Sequence, residues 1–144
     1  MIMMKKMGII AGLVLLCSGT YAQKKKQIQV PDQVRSSFVK AFPGVAGTWE
    51  RADGNYEVNF RSDGKEMSCV MNSRGEVLET ETEIGPDTLP AAAIAYLKNH
   101  YAHQKVKGAA RIQQAGGTVT FEAEIPGKDI LFDANGNFKK EEKH

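Results

Sequence analysis

Few residues in this 144-residue chain have the types that do chemistry, and their spacings narrow the choices further. Cys69 with His100 or His103 would supply a thiol nucleophile and a base. No Gly-rich elbow surrounds Cys69, which alternates with Met67 and Met71 on what reads as a core face of a strand. That position predicts a buried, inert thiol. His100 and His103 stand three apart at the end of a helical stretch, a spacing that puts two metal ligands on one helix face. No third ligand follows in a recognisable pattern, and histidine near a helix C-terminus is also favoured by the helix dipole. Asp133-Ala134-Asn135-Gly136-Asn137 begins like a calcium loop, but counting on from Asp133 reaches His144 where a bidentate glutamate is required. Asn135-Gly136 reads instead as a type I′ hairpin turn. No catalytic residue, metal ligand or cofactor is therefore assigned.

Two features suit recognition better. Glu79, Glu81 and Glu83 alternate along one strand and so share one face, with Thr80, Thr82 and Ile84 on the other. Such a row can bind a basic partner or a cation, or serve as a solvated face that guards against aggregation. Trp49, Tyr56, Phe60, Phe121 and Phe132 are the large aromatics on strands. On an exposed sheet face they would anchor an interface; turned toward helices they are core. Strand parity puts Tyr56, Val58 and Phe60 in the core and leaves Trp49 open. Trp49, Glu79, Glu81 and Glu83 are the candidate binding residues.

The elements that position these groups read twice. Val30-Pro31 opens a helix over Pro31–Ala41 that ends in Phe42-Pro43. Pro31 suits the first helical position, Asp32 favours the first turn, and Val34, Phe38, Ala41 and Phe42 form the apolar stripe. Strands follow over Thr48–Arg51, Tyr56–Phe60, Met67–Met71 and Glu76–Ile84, with Asp53-Gly54, Asp63-Gly64 and Asn72–Gly75 as turns. Leu89-Pro90 opens a second helix over Leu89–Tyr101, capped by Asp87 or Thr88, with Ile94, Leu97 and Tyr101 as its stripe. Strands at Lys105–Gln113, Thr118–Ile125, Lys128–Asp133 and Asn137–Lys140 complete the second unit. Asp133–Gly136 echoes Asn72–Gly75 at an offset of 61 residues, against 59 for Pro31 and Pro90. The fold class is thus α+β: a tandem repeat, 30–84 and 85–144, of one helix on a four-stranded antiparallel unit, with the helices on one face. The other sheet face must meet solvent or a partner.

Met1–Ala22 has the parts of an export signal: Lys5 and Lys6, an apolar run over Gly8–Cys17, and Thr20-Tyr21-Ala22 before a cut at Gln23. The apolar run is too short to span a bilayer comfortably. Cys17 offers a second reading as a lipid anchor, against which bulky Leu16 argues. Removal of the signal takes Lys+Arg from 19 to 17 against 17 Asp+Glu, so the mature protein is formally neutral. Nucleic acid is not the expected partner. Only Cys69 then remains, so no internal disulfide forms and the fold relies on its core. Gln23–Gln29 reads as a flexible leader.

The pattern Val30-Pro31, Phe38, Phe42-Pro43, Trp49, Tyr56-Glu57-Val58-Asn59-Phe60 and Asn72–Gly75 resembles the PepSY-like, beta-lactamase-inhibitor-like family of small exported Bacteroidetes proteins. The second half departs from it, with no proline after Tyr101 and no tryptophan corresponding to Trp49. The resemblance implies a tandem repeat with a beta-lactamase-inhibitor-like fold, a periplasmic or cell-surface location and no catalytic residues. It does not imply inhibition of a beta-lactamase. The expected function is a non-enzymatic exported binding or inhibitor-type module for an envelope protein or peptide. The alternative is a small-ligand or metal-binding envelope protein with a sensory role.

Overall fold

The computed structural model describes residues 28–144. The export signal, its cleavage point, the Cys17 anchor and most of the leader lie outside the described residues. Two helices, α1 (Asp32–Ala41) and α2 (Ala91–His100), each precede four strands: β1 (Gly47–Ala52), β2 (Asn55–Ser62), β3 (Lys65–Met71) and β4 (Val77–Ile84), then β5 (Gly108–Gln114), β6 (Val119–Ile125), β7 (Lys128–Asp133) and β8 (Phe138–Lys143). All eight strands form one antiparallel sheet in chain order. The two units join through β4 and β5, which pair from Glu79 opposite Gln114 to Ile84 opposite Ala109.

Side chains opposite one another across a ladder point to the same side. Phe60, Met67, Thr82, Arg111, Phe121 and Phe132 form one such row across β2 to β7. Phe60 packs with Val34 and Phe38 of α1, and Phe132 with Ala93 and Leu97 of α2. Both helices therefore cover the same face. The alternation of β2 and β3 explains the first core, in which Tyr56, Val58, Cys69 and Met71 are buried beneath α1. Ala109, Ala123, Ile125 and Ile130 build the second beneath α2.

The two halves share their local solutions. Asn72 and Asp133 hold equivalent turns: Oδ1 of Asn72 accepts from the Arg74 and Glu76 amides, and Oδ1 of Asp133 from those of Asn135 and Asn137, all at 2.9–3.0 Å. Gly75 and Gly136 complete these turns at φ +78° and +86°. A Cβ on Gly136 would stand 2.7 Å from Pro90 Cβ and 2.9 Å from the Ala93 nitrogen; one on Gly75 would meet Ser37 and the Gln33 carbonyl of α1. Each hairpin tip thus seats its helix through a glycine that has both a left-handed backbone and no room for a side chain.

Several expectations need correction. Pro31 is the residue before α1, its ψ of 144° being extended. Leu89 stays outside α2 at ψ 153°, because the ring of Pro90 disfavours helical backbone in the residue before it. Asp87 and Thr88 do not cap α2. They lie in a 3₁₀ turn over Pro86–Thr88, where Thr88 Oγ1 donates to the Gly85 carbonyl at 2.7 Å. Ala41 is exposed, outside the α1 stripe. The strand expected from Lys105 begins at Gly108, after a turn in which the Gln104 amide bonds to the Tyr101 carbonyl. β8 runs on to Lys143 because its ladder with β7 overrides the weak strand preference of its lysines and glutamates. Asn135-Gly136 is not a type I′ turn: only Gly136 has positive φ there, whereas Asp53-Gly54 and Asp63-Gly64 have it at both residues. Ile28, placed in the leader, packs against the first core.

Candidate functional site

The face away from the helices is built from the second parity of every strand. One row crosses it as Glu50, Glu57, Val70, Glu79 and Gln114. The next runs Thr48, Asn59, Ser68, Glu81, Ile112, Thr120 and Asp133. A third carries Glu83, Ala110, Glu122, Leu131 and Lys140. Glu124, Asp129 and Glu142 share a fourth with Gly108. Glu79, Glu81 and Glu83 therefore occupy the middle of the open face, on the strand that joins the two halves.

Acids dominate these rows. Lys140 is paired with Glu142. Arg61, which shares the parity of Glu57 and Asn59, is paired with Glu66 at 2.8 Å, whereas Arg51 opposite Tyr56, Arg111 opposite Phe121, and Lys128 between Ile125 and Lys143 fall on the opposite parity. The near-neutral composition thus hides a separation of charge between the two faces. Between the acids lie small or apolar side chains, and Ser68, Ala110, Ile112, Thr120 and Leu131 are all buried.

Glu57 stands out among them. It is only 8% exposed. Its Oε1 is buried without a hydrogen-bond partner, the one such side-chain atom among the described residues. Burial raises its carboxyl above the usual glutamate range, and the charges of Glu50 and Glu79 push the same way; a hydrogen bond with Ser68 opposes them. No sequence motif marks Glu57. Its parity was readable between Tyr56 and Val58, but its burial was not. Asp129 is a second buried acid on this face, raised mainly by burial and opposed by His144, whose Nδ1 is 3.4 Å away.

Trp49 lies on the helix side, opposite Val58, with its ring edge-on to Phe38 at 5.5 Å. Tyr56, Phe60, Phe121 and Phe132 are there too, so none of the strand aromatics named above anchors the open face. Cys69 is buried in the first core, and desolvation lifts its thiol to about 11. His100 belongs to the far end of α2, stacked on Tyr96 at 3.9 Å with Nδ1 3.0 Å from the Tyr96 carbonyl. A thiol–imidazole pair is not assembled. Among the described residues no group of three His, Cys, Asp or Glu side chains is placed to hold a metal ion. The oxygens of Asp133 are taken up by its own turn, with Asn137 Nδ2 donating to Oδ2 at 2.9 Å. An open groove of about 840 Å³ beside α1 is lined by residues including Arg35, Arg51 and Tyr56. Its guanidiniums are engaged, Arg35 with the Val30 carbonyl and Arg51 over the Tyr56 ring at 4.1 Å.

No family model matches the chain, and no curated protein matches it. Solved structures do. A BLIP-like protein from Bacteroides fragilis superposes with a TM-score of 0.63 at 20% identity, over 81% of this chain and 87% of that one. The chain has the BLIP-like fold. A DUF2874 family protein from Bacteroides uniformis (TM-score 0.73, 16% identity, covering 80% and 90%) and another from Bacteroides ovatus (0.71, 21%, 81% and 89%) share it. In this BLIP-like sheet, the face left bare by the helices is the acidic one. Among the described residues no helix is long and apolar enough to cross a membrane.

Proposed function

We propose that this BLIP-like protein is a non-enzymatic exported binding module of inhibitor type, offering the open face of its sheet to an envelope protein or peptide. One observation carries the reading: both helices cover one face of an eight-stranded sheet, and the other face keeps a buried carboxylate oxygen that has no partner among the described residues. A sheet face that only needed solubility would expose its charges. The periplasmic location and the PepSY-like affiliation belong to the same proposal. They rest on the export signal read in Met1–Ala22 and on the motifs around Phe42-Pro43, Trp49 and Tyr56–Phe60.

Gln113 and Gln114 provide a matched test, being adjacent, exposed and on opposite faces. Gln114→Cys and Gln113→Cys proteins, each carrying a bulky maleimide conjugate, are compared in capture from envelope extract. The open-face reading expects the conjugate at 114 to abolish capture and that at 113 to leave it intact. Capture indifferent to both, or lost only at 113, would refute it.

A further inference from the structure

We propose that the open face docks an extended cationic polypeptide segment with Lys or Arg at alternate positions, laid along β4 with one cationic side chain directed to Glu57. The proposal rests on the reading of the open face as the binding surface and specifies its partner.

The charge pattern gives the sign. Acids occur in each of the four open-face rows, and the cations of that parity, Arg61 and Lys140, are each paired with an acid, Glu66 and Glu142, whereas Arg51, Arg111, Lys128 and Lys143 share rows with helix-side residues. The aromatic anchors that dominate many interfaces are absent from the open-face rows, so recognition there is electrostatic.

Glu57 supplies the independent indication of a ligand. A carboxylate taken out of water is normally paired, because an uncompensated buried charge strongly destabilises the fold. Ser68 serves the Glu57 carboxyl, yet Oε1 has no donor among the described residues. An ammonium or guanidinium from outside would complete it with a charge-assisted hydrogen bond.

Spacing selects the form of the partner. Along β4, alternate residues repeat every ~6.6–6.8 Å, which is the repeat of side chains on one face of any extended chain. Glu79, Glu81 and Glu83 therefore match cations at alternate positions of an extended segment. Glu57 lies two strands from Glu79, at roughly 9.5 Å, within the sideways reach of a long Lys or Arg side chain from the same segment. A single ion is a poorer fit, since the described acids do not gather in threes around one point.

The test uses the full chain as exported and two blocked peptides of equal charge. One alternates lysine with alanine; the other places the same lysines contiguously, followed by the alanines. Titration calorimetry is expected to show the alternating peptide binding about fivefold or more tighter, with binding weakening as salt rises. Glu57→Gln is expected to lower that affinity about tenfold, the loss of one charge-assisted hydrogen bond, and Glu79→Gln/Glu81→Gln at least as much. Equal binding of the two peptides, or affinity unchanged in both variants, would overturn the proposal. So would binding of calcium alone with none of either peptide. Envelope capture blocked by the conjugate at 114 but unaffected by the Glu→Gln variants would defeat the cationic partner and leave the open-face reading standing. Capture indifferent to that conjugate would defeat both.

Discussion

Replacing Glu57 by glutamine should make the protein more stable at neutral pH, an unusual outcome for a buried residue. Glu57 stands directly opposite Glu50 and one strand beyond Val70 from Glu79. Like charges directly opposite in a sheet destabilise by roughly 0.2–1 kcal/mol. A buried group left unpaired costs about 1–3 kcal/mol, and more when charged. Glutamine keeps the shape, removes the charge and retains an unpaired polar atom, so only part of this is recovered. We expect a gain of about 1–2 kcal/mol, equivalent to roughly 4–8 °C in melting temperature. The pH dependence follows from the direction of the shift. The folded carboxyl titrates above its ordinary value of 4.5, so the folded state binds this proton more tightly than the unfolded state. Its stabilising contribution is full below the unfolded value and disappears as pH rises through the folded one. The advantage of Glu57→Gln should therefore be near zero at about pH 4 and larger at about pH 7.5. Urea denaturation of both proteins at the two pH values measures it. A variant less stable at neutral pH, or a gap independent of pH, would refute the account of Glu57 as an uncompensated buried acid.

Three further outcomes are expected. Gly117→Ala and Gly136→Ala meet nearly the same backbone, at φ +85° and +86°, but only Gly136 faces a helix. The first should cost about 1–2 kcal/mol of strain and the second roughly 1–3 kcal/mol more from the clash with Pro90 and Ala93, read by denaturant midpoints. Cys69, buried and titrating near 11, should react with a thiol reagent in native protein far more slowly than in urea; rapid native labelling would contradict its place in the core. Tyr101 donates to Glu141 at 2.7 Å, and that bond lifts its phenol to about 12. Ultraviolet titration of Glu141→Gln should bring it back toward the ordinary tyrosine value, and an unchanged titration would discount the bond.

The sequence by itself determined the faces. Alternation is local covalent geometry, so Tyr56, Val58 and Phe60 could be set against Glu57 and Asn59, and Thr80 and Thr82 against Glu79, Glu81 and Glu83, with no knowledge of neighbours. The Pro-opened helices, their aromatic ends and the echo between Asn72–Gly75 and Asp133–Gly136 were equally local, because a turn forms within its own few residues. Boundaries were less legible. Leu89 reads as the first residue of the second helix, but the ring of Pro90 holds it extended. Asp87 looked like a cap until the 3₁₀ turn removed it from α2. Trp49 had no partner in the sequence to fix its side; its register against Val58 put it beside Phe38. Tertiary structure alone decided that β4 pairs with β5, which turns two four-stranded units into one sheet and brings acids from distant segments into common rows. It also decided that Glu57 is buried and its Oε1 unpaired. Parity follows from the pitch of one strand, whereas desolvation and charge crowding depend on which strands lie beside it, and that is set by long-range pairing.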